Sequence, residues 1–259
     1  EQVVEIDRGV AVVADNTWRA MQGRNALNPT WNRSQGLFGR NKASSTTVDP
    51  GPGGSQIIKT RNTRRSKPAR NGTLSAEYIV PNFAHVPMEP MTCTADVKAD
   101  SCLVWAPTQV PMKAKSTASN LTGLPLDSER LQVRIPFIGG GFGRRNQVDD
   151  VEEAVQISRQ IGAPVKVFWS REDDIKHDWF HPSRKITVRA SLDQPEMPSL
   201  GFSIIQKPIN TGAWRAVRNF DEAFARECFL DEYAAALGTD PVSLRMNIYP
   251  DEGWKAVLQ

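Results

Sequence analysis

Gly139-Gly140-Gly141-Phe142-Gly143-Arg144-Arg145 follows the run Leu131-Gln132-Val133-Arg134-Ile135-Pro136-Phe137-Ile138, and the reading of this stretch decides the fold. The run from Leu131 to Ile138 alternates apolar and polar residues as a half-buried strand does. Four glycines in the next five positions remove Cβ atoms, which lets the chain turn through positive φ and bring its N–H groups against a ligand. From Asp149 the positions Val151, Ala154, Val155, Ser158 and Ile161 recur at the spacing that makes one helical face apolar, and Gly162 ends the pattern. The acids Asp149, Asp150, Glu152 and Glu153 lie near the positive end of that helix. A helix start behind exposed amides is a place for a phosphate or an oxyanion. Many strand-end glycines only make a tight turn, so the surroundings must decide.

Pro164 to Trp169 reads as an apolar strand, so Leu131 to Trp169 forms a strand, glycine loop, helix, strand unit with the loop at the carboxyl end of the first strand. Nicotinamide-binding proteins place their dinucleotide there too. Their fingerprint requires a third glycine, and the corresponding position after Gly143 is Asn146. Glu172 and Asp173 supply acids after the second strand, but the fingerprint fails.

At 259 residues, with 39% hydrophobic and 24% charged residues, the chain can bury a real core as one large domain or two small ones. No apolar run approaches a membrane span, and the first residue, Glu1, has no leader behind it, so a processed product or an excised piece is expected. Cys93, Cys102 and Cys228 include no Cys-x-x-Cys pair, which excludes a zinc ribbon or an iron-sulfur ligand set within this sequence. Cys93 and Cys102 are expected to be isolated buried thiols, although their spacing also permits a bridge across a hairpin.

The net charge of +3 comes from one place. Between Asp49 and Glu77 stand Lys59, Arg61, Arg64, Arg65, Lys67 and Arg70 and no acid; setting those six of 32 bases aside leaves 26 against 29 acids. The segment is rich in Ser, Thr, Asn, Gly and Pro and lacks a helical or strand period, so a basic, flexible linker or loop is expected over 32–75. Nucleic-acid sites interleave aromatics with bases, and none stands between Phe38 and Tyr78, so no nucleic acid is expected as a partner. Ahead of the linker, Val10 to Val13 reads as a strand and Asn16 or Asp15 as the cap of a helix from Trp18 to Leu27, an α/β edge unit over 1–31. Behind it, Leu74 to Val80 and Leu103 to Ala106 read as strands enclosing Pro81 to Ala95. His85 and Glu89 in that piece have a metal-like spacing, yet Pro87 and Pro90 forbid the helix that would align them, and a hydrogen-bonded structural histidine is expected.

Several of these motifs together resemble a known family. Gly139 to Gly143, Trp105-Ala106-Pro107-Thr108-Gln109, His85-Val86-Pro87-Met88-Glu89-Pro90-Met91, Pro164 to Asp174, Gly212-Ala213-Trp214-Arg215 and Phe224 to Arg245 are similar to the large subunit of the molybdenum hydroxylases, the xanthine dehydrogenase and aldehyde oxidase family. Arg144-Arg145 after the glycines resembles its branch of isoquinoline 1-oxidoreductase beta subunits and molybdopterin-binding aldehyde dehydrogenases. The resemblance covers most of Ala76 to Leu258. It implies an α+β, mixed α/β fold, with a first molybdopterin-binding domain over 76–259 preceded by the remnant of a small hammerhead-like unit.

The resemblance further implies molybdopterin cytosine dinucleotide with molybdenum as cofactor. Gln109, Gly140, Gly141, Phe142, Gly143, Arg144, Trp214 and Arg215 are implied as its contacts. It implies water-dependent oxidation of an aldehyde or an N-heteroaromatic carbon, electron transfer to [2Fe-2S] clusters on an iron-sulfur small subunit, a cytochrome c as an acceptor, and a bacterial, periplasmic or membrane-associated setting. Purine-oxidising relatives carry a glutamate where this chain has Asn146 and an aromatic ring where it has Val217, so purine is not the expected substrate. The segment from Pro195 to Pro208 is shorter than in relatives, and the family's catalytic glutamate is expected beyond Gln259, so no catalytic base is assigned and the chain alone is expected to be inactive. The alternatives are a cofactor-binding module without turnover and, behind it, a nucleic-acid-binding protein using the basic run.

Overall fold

The computed structural model describes residues 2–30, 67–68, 72–205 and 209–259. The side chains of the basic run between 59 and 70, the Pro50 to Gly54 stretch and most of the expected linker lie outside the described residues. In chain order the strands are β1 (Gln2–Ile6), β2 (Gly9–Val13), β3 (Lys67–Pro68), β4 (Thr73–Val80), β5 (Thr92–Val97), β6 (Cys102–Trp105), β7 (Leu131–Arg134), β8 (Val165–Phe168), β9 (Arg184–Ser191) and β10 (Ser199–Ile204). The α-helices are α1 (Thr17–Ala26), α2 (Pro111–Thr122), α3 (Asp149–Ile161), α4 (Arg171–Lys176), α5 (Arg218–Leu237), α6 (Pro241–Ile248) and α7 (Glu252–Leu258). The described chain divides into two compact units interleaved in sequence, one of residues 2–30, 84–180 and 209–214, the other of 67–68, 72–83, 181–205 and 215–259. The boundaries expected from the sequence stood at 31/32 and 75/76.

In the first unit a four-stranded sheet has the order β7-β6-β5-β8. β5 is antiparallel to both β6 and β8, and β6 is parallel to β7, so β7 and β8 run the same way on opposite edges. The expected strand, glycine loop, helix, strand order is therefore present, but the two strands are separated by β5 and β6. β5 itself was not anticipated: Leu74 to Val80 and Leu103 to Ala106 do not enclose one loop, because β4 belongs to the second unit and β5 pairs with β6. The core consists of Ala95, Val104, Ala114, Ala118, Val151, Ala154 and Val155, each fully buried, so α2 and α3 cover the sheet with their small faces. Ser158 within that face is satisfied: its hydroxyl accepts from Val97 N–H (3.0 Å) and donates to Ala163 O (2.9 Å). Gly162 ends α3 in the left-handed conformation, as the pattern required.

The β1–β2 hairpin packs Val4 on Ile157 and Val165. Asn16, one of the two expected candidates, caps α1 by accepting from Arg19 N–H (3.0 Å). Strand β7 stops at Arg134, whereas alternation extended it to Ile138. Residues 135–138 leave the sheet, and Phe137 is fully exposed. Alternation continued through residues that have no partner strand, because sequence period records which side chains differ in polarity and not which amides are paired.

The second unit is a β10-β9-β4-β3 sheet with α5 packed on its face through Phe229, Leu230, Tyr233 and Ala234. The Phe224 to Arg245 signature proves to be architectural here. Arg245 Nε lies 2.8 Å from Glu227 Oε2, Asp240 caps α6 by accepting from Ser243 N–H (2.8 Å), and Gly238 ends α5 at φ 67°. Cys93 and Cys102 are both free and buried. Among the described residues no helix is long and apolar enough to cross a membrane.

Candidate cofactor-binding site

The site lies in the first unit, where one guanidinium gathers three separate motifs. Arg145 is fully buried, donating from Nε to Gly140 O (2.9 Å), from Nη1 to Pro107 O (3.1 Å), and from Nη2 to Glu89 O (3.1 Å) and Glu89 Oε2 (2.9 Å). Its backbone carbonyl accepts from Thr108 Oγ1 and Gln109 N–H, both at 3.1 Å. A planar group with five fixed donors can satisfy this many carbonyls at once, which a lysine cannot. Glu89 and Gly139 complete the clamp: Gly139 N–H donates to Glu89 Oε2 and Glu89 N–H donates to Gly139 O, both at 3.0 Å. Arg171 adds a further tie, donating from Nη2 to Pro87 O (2.6 Å) and Met88 O (3.0 Å).

What this scaffold holds up is a run of unsatisfied donors. Gly140, Phe142 and Gly143 have φ of 96°, 55° and 103°, and among the described residues the amides of Gly140, Gly141 and Phe142 have no acceptor. Successive N–H groups in such turns form a concavity for an anion. Phe142 is the informative member, since a bulky residue at positive φ carries strain of about 1–3 kcal/mol that persists where its surroundings impose it. Gln109 faces the loop: its Oε1 accepts from Gly143 N–H (3.0 Å), which assigns the amide orientation and leaves Nε2 as a donor with no partner among the described residues. A Cβ built on Gly141 would stand 2.5 Å from Gln109 Oε1, so glycine is required for the amide to lie there.

Two expected anion contacts lie in buried surroundings. Arg144 was expected to contact the cofactor; its side chain is fully buried among carboxylates: Nη1 and Nη2 donate to Asp149 Oδ1 and Oδ2, both at 2.9 Å, Nε lies 3.2 Å from Asp178 Oδ1, and the group stacks 5.2 Å over the Trp169 ring. It braces the loop from beneath. For the same reason the N-terminus of α3 does not present itself to an anion: Asp149 and Asp150, 2% and 3% exposed, occupy its first turn. The sequence showed acids at a positive helix end, which is favourable in itself, and could not show that both are buried there.

The two remaining expected residues fall at the end of one segment and the start of the next. Trp214 belongs to the first unit, where its indole Nε1 donates to Ala84 O (3.3 Å); Arg215 begins the second unit, exposed and with no ion pair among the described residues. Sequence reading missed Arg145 as the organising group. It also missed Asp178, whose Oδ2 accepts from His85 N–H (2.5 Å). Among the described residues no three His, Cys, Asp or Glu side chains gather to hold a metal ion.

Burial beside Asp149 pushes the Asp150 carboxyl up to about 7, and burial also raises Glu153 to about 7 although Trp169 Nε1 donates to it at 2.7 Å. Between the ordinary carboxylate range and pH 7 the folded chain then holds protons that the unfolded chain releases, so stability present at low pH is lost as pH rises through 7. For Asp150 alone this is on the order of 4 kcal/mol. Urea denaturation of Asp150→Asn at pH 5 and pH 8 should show a clearly smaller loss between the two than wild type. An unchanged loss would mean that Asp150 is ionised throughout.

A profile of the molybdopterin cofactor-binding domain family matches residues 65–196. The beta subunit of isoquinoline 1-oxidoreductase from Brevundimonas diminuta is 34% identical over 139 residues, 53% of this chain and 17% of that protein. A nicotinate dehydrogenase subunit of Pseudomonas putida is 24% identical over 96% of this chain and 25% of its own length. Among solved structures, the aldehyde oxidoreductase from Desulfovibrio desulfuricans superposes with a TM-score of 0.62 at 14% identity, covering 82% of this chain and 28% of that one. Quinoline 2-oxidoreductase from Pseudomonas putida 86 gives 0.57 at 18% identity, covering 67% and 28%. These structures share the fold of the present chain, which spans 28% or less of each of these four relatives.

Proposed function

This chain belongs to the molybdopterin cofactor-binding domain family, within the molybdenum hydroxylases of the xanthine and aldehyde dehydrogenase type, and from that premise we propose that the protein containing it oxidises an aldehyde or an N-heteroaromatic carbon using water. Molybdopterin cytosine dinucleotide is the proposed form of the cofactor, and an iron-sulfur small subunit the proposed recipient of the electrons. The observation that carries the reading is the row of acceptor-free amides at Gly140, Gly141 and Phe142 beside the free Nε2 of Gln109. The residues fit the group: it is rich in oxo and phosphate oxygens, and the loop offers neutral donors with no acceptor among the described residues. Gly140, Gly141, Phe142, Gly143 and Gln109 would hold it, and when bound it supplies two-electron oxidation chemistry at carbon.

The chain's own residues bind and orient. Gln109 donates without adding charge, and because Gly143 N–H holds its carbonyl end, the donor end is fixed before anything binds. The Arg145 and Glu89 clamp keeps the loop from collapsing onto its own carbonyls. Asn146 and Val217 stand where purine-oxidising relatives carry a glutamate and an aromatic ring, which supports a substrate other than purine.

The test is to purify the protein from its full reading frame, quantify molybdenum and released cytidine monophosphate, and assay aldehydes and N-heteroaromatics with an artificial electron acceptor. Absence of molybdenum and pterin would overturn the reading. Gln109→Ala should lower turnover by roughly ten- to a hundredfold, since a hydrogen bond to a charged group is worth about 1.5–3 kcal/mol. Gln109→Glu, which keeps the acceptor for Gly143 and loses the donor, should fall comparably; full turnover in Gln109→Glu would exclude the donor role.

A further inference from the structure

We propose that His85 is a positioning residue: bonded through both ring nitrogens, it holds the turn at Gly212-Ala213-Trp214 against the glycine loop and so keeps the acceptor-free amides set for the cofactor. The inference rests on the reading of the site given above. His85 is 7% exposed, its ring wholly buried. Its Nε2 lies 2.9 Å from Ala213 O, which can only accept, so this nitrogen donates. Its Nδ1 lies 2.9 Å from Asp178 Oδ1, and Asp178 is the acceptor for His85 N–H and Trp179 N–H and the ion-pair partner of Arg144 Nε.

The ring therefore joins two segments of the first unit that meet very closely. A Cβ on Gly143 would stand 1.9 Å from the same Ala213 O, and 3.3 Å from His85 Nε2. The carbonyl that His85 holds is thus the one on which Gly143 rests, and Asp178 links the ring to Arg144 beneath the loop. Val86, next in the chain, is held at φ 45°, a costly conformation for a β-branched residue, and this keeps His85 turned inward while Val86 is exposed. A histidine serving only to fill space would need neither acceptor.

Three variants of the full-length protein separate the roles. His85→Gln can place an amide donor near Nε2 and restore the bond to Ala213 O; His85→Asn reaches only Asp178; His85→Phe reaches neither. Hydrogen exchange of peptides covering 209–214 and 139–146 is followed together with molybdenum and pterin content, with melting curves as the check on folding. The expected result is faster exchange in both segments and about tenfold lower cofactor content for Phe and Asn, with Gln close to wild type, since the Ala213 carbonyl is otherwise left without its donor. Equal loss in all three variants would reduce His85 to a packing residue, and no change in any would remove its role; either overturns the proposal. Wild-type protein devoid of pterin would instead overturn the reading of the site, while the exchange pattern still decides whether His85 couples the two segments.

Discussion

Gly143→Ala is expected to abolish cofactor binding and to destabilise the first unit by about 3 kcal/mol or more. The residue sits at φ 103°, where an L side chain is strained, and its new Cβ would stand 1.9 Å from the Ala213 carbonyl oxygen. The obstacle is backbone, so no rotamer change relieves it. Either the loop moves off the 212–214 turn, or the carbonyl swings away from His85 Nε2. Both displace the Gly143 N–H that orients Gln109. Gly141→Ala is the useful contrast, because its Cβ meets the end of a side chain, Gln109 Oε1 at 2.5 Å, which can move. It should cost less stability while still disturbing the amide. Denaturant unfolding with molybdenum analysis checks both, and a Gly143→Ala protein with wild-type occupancy would show that the two segments do not approach as described.

Arg144→Met should be the other severe change, about 3–5 kcal/mol, because it takes the buried cation from the carboxylates of Asp149 and Asp178 and leaves Asp149 only the partly exposed Arg8 at 3.4 Å. The mechanism is desolvation of an unpaired charge and not the loss of a favourable contact, which gives the experiment its discriminating arm. Arg144→Met combined with Asp149→Leu should recover part of the loss, since the second change removes one orphaned charge. If Arg144 were instead a cofactor ligand, Arg144→Met would melt like wild type and lose only molybdenum. A double-mutant cycle by urea denaturation, with metal content measured on the same samples, separates the two roles.

Local features of the chain were legible wherever a single residue determines its own backbone. Gly162 ends its helix, Asn16, one of the two candidate caps, caps the first one, and the apolar face of Asp149–Ile161 is the buried one. Each follows from sterics or from spacing within one turn. Strand β5 was missed because Thr92–Val97 alternates buried and half-buried residues without any large aliphatic at its start, and only its neighbours on both sides make it central. The run 135–138 was overextended for the converse reason: it has the composition of a strand and no partner.

The sequence by itself determined that glycines 139–143 form an exposed backbone loop ahead of a helix, that the order of motifs is that of a molybdopterin-binding domain, and that the dinucleotide fingerprint fails at Asn146. Tertiary structure alone decided which of two adjacent arginines supports the loop and how. Arg145 reaches Glu89, Pro107 and Gly140, while Arg144 turns to Asp149 and Asp178. The two side chains are chemically identical in sequence, and their roles differ because each guanidinium, once buried, must find acceptors that the folded chain brings from positions up to 56 residues away. The amides left without acceptors are likewise invisible in sequence, since whether an N–H is paired depends on what the rest of the fold brings within about 3 Å of it.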